Sequence, residues 1–345
     1  MERTIYNFEQ FDRLRHDHAH APLKAEASSK VDQAVRVGVI LNRRSHQNSA
    51  ETRECEDRTN VTIACPDTRL GIAHELARFA EKGIDLLVIS GGDGTVRDVL
   101  TMGQPVFGKD WPKIAVLPKG KTNALNVDLG SPNNWTLAQA IDAYSKGRTV
   151  KRRPLAVRAA GTGDPAMLGF IFGAGAFTLS VDAGQDAHRI GFFNSLAVGM
   201  ASAWGVLQAL FGSDGNRWRR GAAMDLAYLP SGEEMPRSRH GDRSRRTVML
   251  ASTLKTMPLD IKLFGKGQEG IRLLVLDHPR RRVLFSVPAI LAGWHPLWLK
   301  ASGLHHLAAE GFAITLDSPF ILDGEHFDGG SFTVEQGPEL TFVAG

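Results

Sequence analysis

The chain has 345 residues, of which 43% are hydrophobic and 23% are charged, and its formal net charge is +4 at pH 7. This is the composition of a soluble globular protein, and the length is sufficient for two domains with cores of their own. The small basic excess does not indicate a nucleic-acid partner, although it suits a protein that approaches an anionic membrane surface.

The N-terminal residues 1–34 are polar and show no hydrophobic period, so we expect a flexible tail there. Acidic side chains occur early and no apolar run is present, which does not fit a secretory signal. The two cysteines, Cys55 and Cys65, cannot make a disulfide framework in a chain of this size. Together these features predict a cytoplasmic protein with free thiols.

From residue 35 onward, short apolar runs alternate with segments of helical period. This alternation predicts βαβ units and therefore an α/β domain with a parallel sheet over residues 35–153. Strands are expected at residues 35–41, 61–65, 85–90 and 113–118. Helices are expected at residues 50–57, 70–82, 95–102 and 135–146.

Beyond the basic residues 151–153, the helical alternation stops. Short strand-like runs separated by turn residues predict an antiparallel β-sandwich over residues 154–331. The uncharged segment 191–211 predicts a helix that is buried or touches a membrane, and the polar, basic segment 231–246 predicts a mobile loop. Strands are expected at residues 156–160, 166–172, 247–253, 259–264, 271–276, 312–316, 331–335 and 340–343.

Three glycines surround one aspartate at the end of the strand predicted at 85–90, in the sequence SGGDGT at residues 90–95. Glycines followed by a helix N-terminus form a phosphate cradle, because backbone N–H groups can approach the anion closely. Asp93 would then act through a magnesium ion or on a hydroxyl group, and we expect it to have no packing role. The alternative is a tight turn that happens to collect glycines.

Two further motifs fit a shared site. The sequence LPKGKTN at residues 117–123 ends the next predicted strand, so its loop would face the same ligand. Far downstream, Asp323-Gly324-Glu325 places a carboxylate on each side of a glycine and would present an acid-base group, with Gly324 leaving room for an incoming headgroup. Asp-Gly-Glu is also an ordinary surface turn, so this motif taken singly leaves both interpretations open.

These segments, with NRRS at residues 42–45 after the first strand, resemble the motifs of the diacylglycerol kinase catalytic-domain family, which includes bacterial lipid kinases, sphingosine kinases and ceramide kinases. SGGDGT matches the nucleotide loop of that family, and LPKGKTN resembles its Leu-Pro-x-Gly-Thr-x-Asn segment. Residues 323–325 match its late Asp-Gly-Glu. The order and spacing of these elements are kept over residues 35–345.

The resemblance implies a two-domain lipid kinase that binds ATP and Mg²⁺ between an NAD kinase/diacylglycerol kinase-like α/β domain and a β-sandwich. It implies that Asp93 positions nucleotide, metal or acceptor, and that Asp323 or Glu325 takes the proton of the acceptor hydroxyl. It assigns no metal ligand here, and it implies that residues 332–345 return to the first domain. The implied nucleotide-binding residues are Asn42, Ser45, Gly91, Gly92, Gly94, Thr95, Gly120, Lys121, Thr122 and Asn123.

Several positions depart from the family pattern. Arg97-Asp98 stands in place of Asn-Glu, Lys121 in place of Thr, Ala124 in place of Asp, and Arg43 in place of the first-strand Pro. We expect the added positive charges to lie where phosphates bind, which favours ATP. They also alter the detailed ligand set that the family pattern implies.

Two other functions remain open at this point. An NAD kinase-like enzyme also uses GGDGT, but the Leu-Pro-x-Gly loop and the late Asp-Gly-Glu argue against it. A catalytically inactive lipid-binding regulator would account for the departures, but the presence of Asp93, Asp323 and Glu325 argues against it.

The resemblance implies that the acceptor is the primary hydroxyl of a membrane lipid such as diacylglycerol, ceramide or a sphingoid base. Aromatic and aliphatic residues at 191–211 and 289–299 lie near arginines within 217–220 and 280–282 in the sequence, which suits the edge of an anionic bilayer. The alternative is an apolar core with solvated arginines. We expect peripheral association with the inner face of the membrane, and the oligomeric state stays open, including a homodimer.

Overall fold

The computed structural model describes residues 34–42, 59–120, 122–161, 166–179, 216–265 and 269–345, together with residues 208, 210, 212 and 213. The predicted helix at 50–57 and most of the one at 191–211 lie outside the described residues. The chain divides into two compact units. Among the described residues, the first unit takes 34–154, 166–169 and 337–345, and the second takes 155–161 and 170–336.

The strands are β1 (Val37–Leu41), β2 (Val61–Ala64), β3 (Leu86–Gly91), β4 (Lys113–Pro118), β5 (Thr149–Arg152), β6 (Leu155–Ala159), β7 (Met167–Gly169), β8 (Ile171–Gly175), β9 (Ala222–Leu229), β10 (Arg245–Arg246), β11 (Val248–Ser252), β12 (Ile271–Leu276), β13 (Leu304–Ala309), β14 (Gly311–Leu316), β15 (Phe320–Leu322), β16 (Glu325–Phe327), β17 (Gly330–Gln336) and β18 (Leu340–Val343). The helices are α1 (Arg69–Glu81), α2 (Asp93–Phe107), α3 (Ala124–Leu129), α4 (Leu137–Ser145), α5 (Arg217–Arg220), α6 (Arg281–Phe285), α7 (Val287–Leu291) and α8 (Trp298–Ala301).

The first unit is built on one mixed sheet with the strand order β2-β1-β3-β4-β18-β5. Neighbouring strands run parallel except β18 and β5, which are antiparallel. Strands β1 and β3 are buried along their whole length, as expected for central strands of a parallel sheet covered on both faces. Residues 337–345 return the chain to this sheet as β18, whereas Phe332 lies in β17 of the second unit.

Side-chain caps explain where two helices of the first unit begin. The Thr68 hydroxyl accepts a hydrogen bond from Gly71 N at 3.0 Å and starts α1. Thr136 and Gln139 form a reciprocal capping box that starts α4. Leu76 and Phe79 on α1 are buried, and Ala140 on α4 packs into the apolar cluster on one side of the sheet. Local sequence therefore sets these helix starts, and burial of one face holds the helices in place.

The fold class predicted for the first unit is confirmed, with strands and helices alternating as expected. The helix predicted at 95–102 is longer than expected, because α2 begins at Asp93 and continues to Phe107. Helix α3 was not predicted. It has six residues, which is too short to show a helical period in the sequence. It starts after Asn123, which adopts the left-handed conformation.

The second unit contains two antiparallel sheets. Their strand orders are β13-β12-β11-β8-β15-β16 and β10-β9-β14-β17-β6. Aromatic rings from the two sheets meet: Phe172 on β8 lies 6.3 Å from Phe312 on β14, and Phe320 on β15 lies 5.0 Å from Phe332 on β17, between ring centroids. Edge-to-face pairs of this kind are stabilising in a closely packed core. The predicted antiparallel sandwich is confirmed.

Two local predictions in the second unit are wrong. No strand forms at 259–264; Pro258–Asp260 form a 3₁₀ turn, and Leu259 and Asp260 have positive φ of 59° and 52°, which a strand does not permit. The segment 231–246 is not simply a solvated loop, because Arg246 is completely buried. Its guanidinium donates to Met235 O, Pro236 O and Asp277 Oδ1 at 2.9–3.0 Å.

A helical segment that the sequence did not predict covers one face of the sheet that contains β12. It comprises α6, α7 and α8, and it packs through Val283, Ile290 and Leu299 against Leu274 and Leu276 of β12. Among the described helices, none combines the length and apolar character needed to cross a membrane.

Candidate functional site

The predicted phosphate cradle lies where β3 passes directly into α2. Gly92 is the N-cap, and Asp93 is already the first residue of the helix. Gly94 and Thr95 therefore belong to the first helical turn, where backbone N–H groups point out along the axis and the helix dipole favours an anion. This local geometry suits a phosphate group.

The packing of the protein itself requires glycine at two positions of these loops, Gly92 and Gly120. Strands β3 and β4 end level with one another, with Gly91 opposite Pro118. A β-carbon on Gly92 would lie 2.9 Å from Gly120 Cα, and one on Gly120 would lie 2.5 Å from Gly92 Cα. Both distances are closer than real side chains come, so the two predicted loops can pack together only with glycine at both positions.

Two asparagines fix these loops. Asn42, at the end of β1, donates from Nδ2 to the Thr95 hydroxyl at 2.8 Å. Asn123 accepts from Gly120 N at 2.9 Å and donates to Gly120 O at 2.8 Å, which closes the second loop on itself. The structure thus brings together Asn42, Thr95, Gly120 and Asn123, and it gives the two asparagines the role of shaping the loops.

Asp93 has a structural role that the sequence did not reveal. Its carboxylate accepts hydrogen bonds from the backbone N–H of Ala124 at 3.0 Å and of Leu125 at 3.3 Å, so it caps α3 from a distance of about thirty residues along the chain. Burial raises the pKa of the Asp93 carboxyl above its ordinary value, and these backbone N–H groups oppose that rise. The expectation that Asp93 has no packing role is wrong.

Arg97 does not add positive charge for phosphates, contrary to expectation. Its side chain is completely buried, and Nη2 lies 2.9 Å from Asp98 Oδ1. The other oxygen of Asp98 lies 3.2 Å from Arg69 Nε, so one carboxylate serves two guanidiniums. The pair that replaces the Asn-Glu of the family pattern is therefore part of the packing of α2 against α1. Its apolar neighbours Val96 and Val99 are the sequence signal that could have indicated this.

The other predicted nucleotide residues divide into three groups. Gly91 is buried at the end of β3, and a β-carbon there would lie 2.6 Å from the Thr95 side chain. Thr122 is exposed at the surface of the second loop. Ser45 and Lys121 lie outside the described residues. Sequence reasoning missed Lys119, whose backbone N–H donates to Gly91 O at 3.1 Å and ties the two loops together.

In the second unit, the late Asp-Gly-Glu motif is a two-residue hairpin between β15 and β16. Leu322 pairs with Glu325, and both residues between them have positive φ, 48° for Asp323 and 82° for Gly324. Asp-Gly is a favoured pair for such turns. A β-carbon on Gly324 would meet nothing within 4 Å, so within the protein this glycine serves the backbone conformation. That it leaves room for a headgroup stays a prediction.

The two carboxylates of the hairpin have different surroundings. Both oxygens of Asp323 accept from Phe170 N at 3.0 Å, and Oδ1 also accepts from Ile171 N at 2.9 Å. Asp323 N in turn donates to Ile171 O at 2.9 Å. Asp323 therefore anchors the hairpin to the start of β8. Glu325 is partly buried at the start of β16, on the strand that follows the turn.

The arginines expected at a bilayer edge are partly used inside the protein. Arg219 is buried beside Trp218, whereas Arg220 is exposed. Arg280 Nη1 lies 2.8 Å from His240 Nε2, and Arg282 stacks over Trp298 at 4.0 Å from the ring centroid. Arg280 and Arg282 therefore contact an imidazole and an indole ring of the protein, and these arginines are not simply solvated charges.

Among the described residues, no group of three His, Cys, Asp or Glu side chains converges in a way that could hold a metal ion. Mg²⁺ is commonly held by one or two carboxylates together with nucleotide phosphates and water. A Mg²⁺ that enters together with a nucleotide would need only one or two carboxylates from the described residues.

Residues 36–157 match the family model described as "Diacylglycerol kinase catalytic domain". No curated protein matches the sequence. A solved structure of a diacylglycerol kinase from Bacillus anthracis str. Sterne aligns with a TM-score of 0.58 at 14% identity, covering 90% of this chain and 97% of the other. Two further structures from the same organism align with TM-scores of 0.60 and 0.62 at 16% and 15% identity, with the same coverage.

The resemblance inferred from the motifs is thereby confirmed over the matched region, and the structural alignments confirm the fold over both units. At 14–16% identity, the structural alignments show a similar fold and do not show a shared activity. The family match is a likeness of residues 36–157 to the diacylglycerol kinase catalytic domain.

Proposed function

We propose that this chain, whose first unit carries a match to the diacylglycerol kinase catalytic domain, is an ATP-dependent kinase that phosphorylates the primary hydroxyl of a membrane lipid. The observation that supports it most directly is the close packing of Gly92 on Gly120 at the start of α2. Two motif loops at the carboxyl ends of adjacent parallel strands form one surface there, which is where α/β sheets bind ligands.

ATP would supply the phosphoryl group, and the first turn of α2 would hold its phosphates through the N–H groups of Gly94 and Thr95. Asn42 orients the Thr95 hydroxyl. Gly92 and Gly120 carry no side chains, so a phosphate group could come close to the backbone there. By the family resemblance we also assign nucleotide contacts to Ser45, Gly91, Lys121, Thr122 and Asn123. Asp93 would position these loops through its bonds to α3, and Mg²⁺ would be shared with the nucleotide.

We assign the proton acceptor to Glu325 and a positioning role to Asp323. The Asp323 carboxylate already accepts hydrogen bonds from two backbone N–H groups, Phe170 N and Ile171 N, so its oxygens are engaged in holding the hairpin. Glu325 follows directly on the strand that Asp323 anchors. A carboxylate held in this way and aimed at a lipid hydroxyl would speed transfer by about 10²–10⁴-fold.

The acceptor would be diacylglycerol, ceramide or a sphingoid base, presented at an anionic membrane to which the protein attaches peripherally from the cytoplasmic side. Exposed apolar side chains on the helical segment of the second unit support this: Phe285 is 67% exposed and Leu297 is 95% exposed. Arg282 beside Trp298 adds a cation next to an aromatic ring, a pairing suited to headgroups.

The test is a transfer assay with purified full-length protein, labelled ATP and Mg²⁺. Diacylglycerol, ceramide and sphingosine are offered separately in mixed micelles, with NAD⁺ as a soluble acceptor. Label on one of the lipids is the expected result. Label on NAD⁺ alone would indicate an NAD kinase instead, and lipid binding without any transfer would indicate a regulator that has lost catalysis.

A further inference from the structure

One peptide group at the start of β8 is held from both sides. It joins Phe170 to Ile171. Its carbonyl oxygen, Phe170 O, accepts a hydrogen bond from the Ser252 hydroxyl at 2.8 Å. Its N–H, that of Ile171, donates to Asp323 Oδ1 at 2.9 Å. Because a peptide group is planar, its two ends move together, and Ser252 and Asp323 are therefore connected through one rigid unit.

The strand order explains how one peptide reaches both side chains. Strand β8 lies between β11 and β15 in its sheet. Ser252 is the last residue of β11 and pairs with Ile171, whereas Asp323 follows directly after β15. A hydrogen bond to the carbonyl oxygen polarises the peptide group and makes its N–H a stronger donor. Ser252 therefore strengthens a bond that holds Asp323 in place.

The Ser252 side chain is present for its hydrogen bonds. It is completely buried, and residues 249–251 before it on β11 are buried and apolar. Its hydroxyl also accepts from Leu254 N at 3.1 Å, a local turn of the kind that serine forms at the end of a strand. That turn does not need the bond to Phe170 O, which joins positions 82 residues apart. The second bond is what links β11 to the Asp-Gly-Glu hairpin.

The position of Glu325 depends on how firmly this hairpin is anchored. Strands β15 and β16 have three residues each, and β16 is the last strand of its sheet. Asp323, in the turn, has a φ of 48°, which is uncommon for a residue other than glycine. A short hairpin is held weakly by its own ladder. The bonds of the Asp323 carboxylate to β8 therefore fix where Glu325 stands.

We propose that Ser252 is a positioning residue for the proton acceptor. Through the peptide between residues 170 and 171, and then through Asp323, it holds Glu325 where a lipid hydroxyl can give up its proton. This role rests on the proposed function and deepens it, because it adds a residue of β11 that no motif marks in the sequence. The Ser252 hydroxyl itself touches neither the nucleotide nor the reacting oxygen.

The experiment is single-turnover transfer by the full-length protein at saturating ATP. Diacylglycerol, ceramide and sphingosine are offered separately in mixed micelles, and the variants are Ser252→Ala, Glu325→Gln and the two combined. Ser252→Ala should lower transfer by about tenfold or more with unchanged ATP affinity, because a small misplacement of a catalytic group can cost up to about 10²-fold. Added to Glu325→Gln, it should cause no further loss, because the group that it positions is already absent.

Thr247→Val is the matched control. The Thr247 hydroxyl is also buried in the second unit, but it lies before the other end of β11 and donates to Asp277 O at 3.2 Å. This variant should transfer phosphate like the wild type. Thermal unfolding shows whether each variant folds. If Ser252→Ala does not fold, Ser252→Cys takes its place, because a thiol is similar in size and is a weak donor.

Three outcomes would overturn the proposal: wild-type transfer in Ser252→Ala, an equal loss in Thr247→Val, or the same fractional loss when Ser252→Ala is added to Glu325→Gln. A wild-type protein that labels none of the lipids would overturn the proposed function instead. Amide hydrogen exchange at Ile171 needs no substrate and tests the link by itself. Exchange should be faster in Ser252→Ala than in the wild type, and an unchanged rate would show that Ser252 does not hold this peptide.

Discussion

At the scale of single residues, two aspartates that the sequence marked as chemical also bind the backbone of a distant segment. Asp93 accepts from the first N–H groups of α3, and Asp323 accepts from Phe170 and Ile171. Both carboxylates therefore hold the shape of their sites. Of the acids singled out from the sequence, Glu325 is the one to which we assign direct chemistry.

This difference predicts that two isosteric variants affect different quantities: Glu325→Gln affects the rate of transfer, and Asp323→Asn affects the free energy of unfolding. Glu325→Gln should lower transfer to lipid by about 10²–10⁴-fold, because the amide cannot accept the proton of the lipid hydroxyl. Asp323→Asn should lower the free energy of unfolding by about 1–3 kcal/mol, because backbone N–H groups lose a charged acceptor. Single-turnover transfer at saturating ATP and denaturant unfolding, measured on both variants, check this. Wild-type transfer rates in Glu325→Gln would exclude it as the base.

At the scale of elements, the two motif loops, residues 90–95 and 117–123, depend on each other. Each loop is attached to its own strand, but their contact needs glycine on both sides. A phosphate cradle made by one loop is therefore sensitive to substitution in the other.

We expect Gly120→Ala to weaken ATP binding by tenfold or more. Its β-carbon would lie 2.5 Å from Gly92 Cα, and backbone atoms must move to relieve an overlap of that kind. Gly130→Ala is the control at the far end of α3, where the β-carbon would meet nothing within 4 Å and only the left-handed conformation, at φ 69°, is penalised. A nucleotide titration beside thermal unfolding compares the two; equal affinities would mean that the loop contact is dispensable.

A buried cluster of polar and charged side chains, Arg246, Asp277 and His305, connects three strands of the second unit. Asp277, just after β12, lies 2.9 Å from Arg246 Nη1 on β10 and 2.9 Å from His305 Nε2 on β13. Burial disfavours the charged carboxyl, but the bonds from His305 and Ser238 N and the charge of Arg246 outweigh it, so the pKa of Asp277 is lowered.

Asp277→Asn should reduce the free energy of unfolding by about 3–5 kcal/mol at pH 7, because it leaves Arg246 buried without its counter-charge. A carboxyl whose pKa is lowered on folding contributes stability above its unfolded pKa of about 4, and that contribution is lost as the pH falls through the folded value. The difference in the free energy of unfolding between the wild type and Asp277→Asn should therefore become smaller below about pH 4. Denaturant titrations across this range check it, and a gap that widens in acid would contradict it.

At the scale of the whole molecule, the first unit is built from two parts of the chain that are far apart in sequence, and residues 337–345 supply one strand of its sheet. Strand β18 occupies an interior position of the first sheet, parallel to β4 and antiparallel to β5, although the chain has passed through the second unit before reaching it. Leu340, Phe342 and Val343 are completely buried. The nucleotide loops therefore rest on a sheet that is complete only when the last residues are in place.

Deletion of residues 337–345 should unfold the first unit or lower its melting temperature sharply, since an interior strand and its apolar side chains are lost. Deletion of residues 344–345 alone leaves β18 whole and serves as the control. Calorimetry together with ATP titration tests this. A truncated protein that melts and binds nucleotide like the control would show that β18 is not needed.

The sequence by itself determined the strand-and-helix alternation, the sandwich and the place of the two motif loops at the ends of β3 and β4. These features depend on local periods and on glycines beside strand ends, which are read within a few residues. It also identified Asp-Gly as a turn, because the preference for positive φ is a property of the residues themselves.

Only the tertiary structure decided what the charged side chains do. Asp323 meets Phe170 some 150 residues away, Arg97 is buried against Asp98 and Arg246 against Asp277, and Arg272 stacks on Phe264. A charged residue has the same letters in the sequence whether it faces water, a ligand or a backbone N–H. Its role depends on the partners that the fold brings to it, because the cost of burying charge is offset only by contacts made in three dimensions.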